Sequence, residues 1–344
     1  MSSGPVFSND AEDLPERGSA APAPEGSAGI PAVGRQETRS LARVLTVVYA
    51  LLITPVGLVL LGYGGGRTLQ IVLRGGYEWG ALLASGGTMI VTALLALTGG
   101  IVLLASVAAT GVASSAGLLA AGLMGLPAVA ASALTPLLML IYDIFASVVP
   151  DLAMLDGLVY GHHLVVHPLL GGFGLSLLLA RRRPAAPSAL SLIGIVAIPL
   201  VLTVGALLMF QGHARGATMW ARSFGTEIDP LALVLVPVGV LLLVLTVVAT
   251  RWSPYALVIP ALVLLALSAT MLLPTSSLLS PSWLWGVAQG TVLTFLGTGG
   301  MAATGVLMLV HTGALALVRA RSRRAQRHRT GPGAPGRPQL SDAG

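Results

Sequence analysis

The sequence predicts an all-α integral membrane protein, a polytopic bundle of about eight transmembrane helices built as two parallel-oriented four-helix repeats. Three observations carry this. Of 344 residues, 55% are apolar and 9% charged, with a mean hydropathy of +0.87, whereas roughly a quarter of the residues in soluble domains carry charge. No Asp, Glu, Lys or Arg occurs from Trp79 to Tyr142 or from Trp252 to Val318, and each block is far longer than the ~20 residues one span needs. The third is an internal similarity set out below.

A chain in hydrocarbon must satisfy its backbone internally, which leaves helices or a closed barrel. Continuous runs such as VLTVVYALLITPVGLVLLG and LALVLVPVGVLLLVLTVVAT select helices over the alternating segments of a barrel. There is no cysteine, which excludes disulfides, thiol catalysis and Cys-ligated zinc or iron–sulfur clusters. Lysine is also absent, so all 19 basic residues are Arg. With abundant Ala, Gly, Leu and Val, this resembles the codon bias of high-GC bacteria and suggests a bacterial plasma-membrane protein.

Residues 1–40 are rich in Pro, Gly, Ser, Ala and acids and read as a disordered tail rather than a signal peptide. Spans are expected near 44–62, 81–107, 113–135, 158–180, 188–210, 231–250, 255–274 and 293–318. The first repeat then covers 41–183 and the second 184–318, followed by an Arg-rich disordered tail at 319–344. Arg181 to Arg183, Arg251 and the tail from Arg319 fall on the N-terminal side, which places both termini in the cytoplasm. An extra span at 130–149 would put Arg181 to Arg183 outside, so that stretch reads as the end of span three plus an interfacial or re-entrant piece.

The repeat shows in three alignments. The segment from Ala109 matches that from Ala249, and the segment from Phe173 matches that from Thr312, at an offset of 139 to 140 residues. GGGRTLQIVLRGGYE from Gly64 matches GHARGATMWARSFGTE from Gly212. Arg67, Arg74, Tyr77 and Glu78 thereby correspond to Arg215, Arg222, Phe224 and Glu227. Four-span units keep their orientation, so the halves should be related by an axis along the membrane normal.

Two constellations carry candidate chemistry. The arginines of each outer loop are seven residues apart, on one face of a short helix, so Arg67, Arg74, Arg215 and Arg222, flanked by Glu78 and Glu227, suggest an anion or lipid-headgroup site. The plainer reading pairs each Arg with Glu78, Glu227 or Asp229, or with lipid phosphates. The second constellation is DGLVYGHHLVVHP, where Asp156, Tyr160, His163 and His167 are spaced to share one helical face, with Pro168 as a kink. Ionisable groups at membrane depth could bind a metal or haem or relay protons. His213 and His311 are not obvious third ligands, and histidines hydrogen-bonded across the bundle are the plainer account. No cofactor is required by the sequence.

Glycine-rich stretches at Ser85, Thr98, Gly157 to Gly161 and Gly297 suit close helix packing. Pro55, Pro127, Pro136, Pro199, Pro237 and Pro260 read as kinks. The tail RARSRRAQRHR holds six arginines, each adding ~1 kcal/mol of attraction to anionic lipid. A nucleic-acid partner is not indicated, because the pI near 10.5 follows from orientation charges. No phosphate-loop, nucleophile-elbow or HExxH motif occurs. The leading expectation is a non-enzymatic transport or lipid-handling protein in contact with the bilayer. The alternatives are a redox or metal protein using the span-four histidines, and a scaffold that recruits a protein partner or a second copy through its tails.

Overall fold

The computed structural model describes residues 32–74, 79–149, 151–182, 190–270 and 288–330. Ser40–Gly344 forms one compact unit and Met1–Arg39 a separate one, of which residues 32–39 are helical. The described chain is predominantly helical, with no strand among the described residues. The helices are α1 Ala32–Arg74, α2 Trp79–Thr110, α3 Ala116–Met124, α4 Leu126–Ala133, α5 Thr135–Ala146 and α6 Asp156–Val159. They continue with α7 His162–Arg182, α8 Leu190–Arg222, α9 Ala232–Ala249, α10 Val258–Thr270, α11 Gln289–Gly297 and α12 Gly300–Thr330.

Among the described residues, seven helices are long and apolar enough to cross a membrane, with α3 and α4 together counting as one. The expected span at 255–274 falls on α10, of which 13 residues are described. The stretch at 130–149 is split by the helix break at Leu134, and α5 has only 12 residues. That is about 18 Å of helix against a core of about 30 Å.

Two helices form the centre. In the most apolar stretch of α7 78% is buried and in that of α12 61%, against 22–39% for the other spans, and α7 packs on α3, α9 and α12 while α12 packs on α2, α7 and α10. The outer helices show lipid large apolar side chains such as Leu52, Leu95, Leu192 and Ile193. Polar residues concentrate where lipid does not reach. Of the buried histidines, His162, His163, His167 and His311 lie on the two central helices and His213 lies on α8.

Glycine sets the distances between outer helices. A Cβ on Gly100 of α2 would lie 2.6 Å from the backbone N of Leu61 and 2.8 Å from the carbonyl O of Gly57 on α1. A Cβ on Gly239 of α9 would lie 2.5 Å from both the N of Met209 and the O of Gly205 on α8. One turn or two along, Gly64 meets Leu97 and Gly212 meets Val236 in the same way. Matched features recur elsewhere. Gly161 and Gly299, each just before a central helix, both have φ +77°, a left-handed conformation that favours glycine. Arg181 donates to the carbonyls of Gly111 and Val112 beyond α2, and Arg319 donates to that of Arg251 beyond α9. Each thereby satisfies carbonyls left without a partner at a helix end. Phe173 of α7 stacks on His311 of α12 with centroids 4.1 Å apart and planes 10° from parallel.

The helix limits correct several sequence expectations. α1 and α8 run on to Arg74 and Arg222, so the arginine pairs lie on the ends of long helices rather than in loops. Glycines 64–66 stay helical because they are packing contacts, Gly64 against Leu97 and Gly65 against Thr298. Span four begins at His162, not near Leu158, because Gly161 turns the chain. Asp156, Tyr160, His163 and His167 therefore do not share one helical face. Pro127 and Pro136 sit in the first turn of α4 and α5 and Pro260 in that of α10, where a missing N–H costs nothing. Pro55, Pro199 and Pro237 lie inside helices. The Arg-rich segment continues α12 as helix to Thr330.

A valine at Gly100 or at Gly239 should lower stability by about 1–3 kcal/mol through overpacking against backbone. Alanine at Gly313, where an added Cβ meets nothing within 4 Å, should raise it by up to ~1 kcal/mol. Thermal unfolding in detergent, followed by tryptophan emission, separates the two. Parent-like unfolding of Gly239→Val would contradict the packing described.

Candidate functional site

At the end of the bundle opposite Arg181 and Arg319, charged and polar groups gather around the corner between α6 and α7. Asp151 leads a 3-10 turn at Leu152–Met154 by accepting from the Ala153 N–H at 2.9 Å. It also receives Nη2 of Arg67 at 2.7 Å. These contacts, the backbone N–H first and Arg67 second, hold the Asp151 carboxyl below its usual pKa. Asp156 differs. Burial raises its pKa above the usual value, although the Tyr160 hydroxyl donates to it at 3.1 Å. Tyr160 itself is pushed up to about 12, by burial first and the Asp156 charge second, so its hydroxyl remains a donor across the ordinary pH range.

Across the corner, Nε of Arg215 donates to the buried Asp229 at 3.0 Å, and Asp229 accepts the Leu231 N–H at 2.8 Å just before α9. Arg67 and Arg215 are thus engaged by carboxylates. The partner of Arg67 is Asp151 rather than Glu78, which with Tyr77 lies outside the described residues. The side chain of Arg74 also lies outside them. Glu227 is exposed, and its backbone N–H donates to Ser223.

Arg222 is placed differently from Arg67 and Arg215. It is exposed and stands on the wall of a pocket of about 660 Å³. Val159 and Tyr160 form one wall, the last turns of α8 from His213 to Arg222 another, and Gly290, Thr291 and Thr294 of α11 the third. No acidic side chain lines this pocket among the described residues.

The histidines act as bridges between helices. Nε2 of His163 lies 2.5 Å from the Ser132 hydroxyl of α4. His167 donates from Nδ1 to the Ala121 carbonyl of α3 at 2.8 Å. Nε2 of His162 lies 2.9 Å from the Thr298 hydroxyl, and His213 donates to the Val159 carbonyl at 3.2 Å. His311 reaches Thr250 at 3.3 Å and not His167. Each bond ties two parts of the bundle together, which suits histidines hydrogen-bonded across helices. Among the described residues no three His, Asp or Glu side chains are grouped so as to hold a metal ion.

Comparison with protein-family models, with curated proteins and with solved structures finds no match to this chain. The functional reading therefore rests on the site alone.

The sequence singles out Arg222 and Tyr160 but not Asp151, His162, Thr291 or Thr294. Asp151 carried one weak signal, an acid that closes the short apolar stretch following Asp143. The threonines carried none, since such residues are ordinary in membrane helices.

A carboxyl whose folded pKa is depressed stabilises the fold above its unfolded pKa and loses that contribution as pH falls through the folded value. Asp151→Asn should therefore cost at most about 1 kcal/mol at pH 7, the pair being partly exposed. The cost should shrink below pH ~3.9, the ordinary carboxyl value. Unfolding curves at pH 7 and in acid test this. A deficit that grew in acid would contradict the assignment.

Proposed function

We propose that this chain is a non-enzymatic plasma-membrane protein of transport or lipid-handling type. In this reading, the pocket at Arg222 receives a phosphate-type anion, carried by a lipid headgroup or by a small soluble molecule. One observation carries it: the pocket presents a cation with no acid on its walls among the described residues, while Arg67 and Arg215 are held by Asp151 and Asp229. Arginine suits such a group because its planar fork can donate two hydrogen bonds to it. Tyr160, Thr218, Thr291 and Thr294 line the same space and add hydroxyls.

The proposal includes a duplicated four-helix unit, residues 41–183 and 184–318. It is supported by the recurrence, 148 residues apart, of the Gly57/Leu61/Gly64 contacts in Gly205/Met209/Gly212. The paired Gly161 and Gly299 turns and the Arg181 and Arg319 caps support it too. When Gly161 is set against Gly299 and Arg181 against Arg319, Phe173 stands against His311, one residue from the pairing with Thr312 that the sequence suggests, and their contact is what a pseudo-twofold axis between α7 and α12 would produce. Positive-inside bias then puts the Arg181 and Arg319 end, with both termini, in the cytoplasm and the Arg222 pocket outside. The arginines beyond Arg319 would face anionic lipid there.

Protein in nanodiscs of zwitterionic lipid should bind sn-glycerol phosphate if the ligand is soluble, or incorporated phosphatidylglycerol if it is a headgroup. In whichever arm binds, Arg222→Gln should weaken affinity about tenfold or more, and added salt should weaken the parent. Equal affinity of parent and variant in both arms would overturn the reading.

A further inference from the structure

A second cavity, of about 360 Å³, lies along the same face of α8 as the Arg222 pocket. Pro199, Thr203, Ala206 and Phe210 line the lower cavity, and Ala214, Ala217 and Ala221 line the upper pocket. Steps of three and four residues keep one face of a helix, so the two spaces lie end to end. α11 serves both, turning Thr291 and Thr294 to the upper one and Val292 and Phe295 to the lower. At the junction the rings of Phe210 and Phe295 are 5.0 Å apart.

The lower cavity is lined almost wholly by apolar side chains and follows α8 for about 17 Å, from Pro199 to Phe210. Its wall on α10 includes Ile259 and Val263, which are 54% and 52% exposed. The cavity is therefore bordered by a surface that faces lipid tails.

The first half has a corresponding cavity of about 470 Å³ with a different chemistry. Leu58, Val59 and Met124 line it where Ala206, Leu207 and Leu264 line the other. However, it contains His163 and His167 where the second half has Met301 and Gly305, and Ile141 and Phe145 of α5 stand over it. Only the second-half cavity continues along its own helix into a pocket with an unpaired cation, among the described residues.

We infer that the upper pocket and the lower cavity are one site for an anionic amphiphile, its headgroup at Arg222 and an acyl chain passing the Phe210 and Phe295 rings into the cavity along α8. This rests on the reading of Arg222 as an anion contact and adds the substrate class. Charge complementarity at one end and an apolar cavity at the other select an amphiphile over a small soluble anion or an uncharged lipid.

The test uses the full chain in zwitterionic nanodiscs with radiolabelled palmitoyl lysophosphatidylglycerol and, separately, sn-glycerol phosphate. Ala206→Phe fills the cavity and should weaken the lysolipid about tenfold while leaving any glycerol phosphate binding unchanged. Val263→Trp, at the exposed wall, should act likewise and covers the case in which Ala206→Phe fails to fold. Leu58→Phe, the first-half counterpart, should leave lysolipid binding as in the parent. Parent-like lysolipid binding by both cavity variants would overturn the acyl-chain assignment, and equal loss in Leu58→Phe would overturn its restriction to the second half. Failure of Arg222→Gln to weaken either probe, with the cavity variants still weakening the lysolipid, would instead overturn the headgroup reading.

Discussion

Helices surrounded by lipid gain little from burying apolar side chains against one another, because the tails they leave are equally apolar. What remains is close contact, and here it is made by backbone approaching backbone at Gly57 with Gly100 and at Gly205 with Gly239. A Cβ at Gly100 or Gly239 would sit inside the partner's main chain. These approaches hold α1 against α2 and α8 against α9 as tight pairs. The central α7 and α12 fill the space between them with Phe173, Leu177, Leu307 and Leu315, all buried. The cavities lie where an outer helix cannot close on α3 or α10 while it is held so tightly on its other side.

Burial of the two central helices also governs where polarity is tolerated. A histidine facing hydrocarbon would lose its hydrogen bonds, whereas His162, His163 and His167 each find a partner on another element. In the proposed duplication, the two halves differ at these positions. His167 bonds the Ala121 carbonyl, and at the matching place Gly305 lies against Ala261, where an added Cβ would be 2.9 Å from the carbonyl oxygen. One half therefore uses side-chain hydrogen bonds where the other uses contact. The second half's cavity is left apolar as a result.

The class of fold and the approximate positions of the spans were legible because uncharged runs of this length have no other stable home. Helix ends were less so. Gly64, Gly65 and Gly66 have the composition of a turn, yet they remain helical because their missing side chains admit Leu97 and Thr298. Gly161 carries the opposite error, since within GxxxG it reads as a packing residue but is a left-handed break. The Arg67–Asp151 pair joins residues 84 apart, a relation no local pattern encodes. Arg222 was visible as one of four arginines that the sequence sets in two pairs seven residues apart. Its separation from Arg67 and Arg215 came only from knowing which carboxylates were already engaged.

The central claim is that the end of the bundle bearing Arg222 selects an anionic amphiphile. Native mass spectrometry of the chain extracted from membranes with equal phosphatidylglycerol and phosphatidylethanolamine tests it most directly. The anionic lipid should stay bound as detergent is stripped while the zwitterionic lipid is lost. Equal retention of both, or of neither, would contradict it.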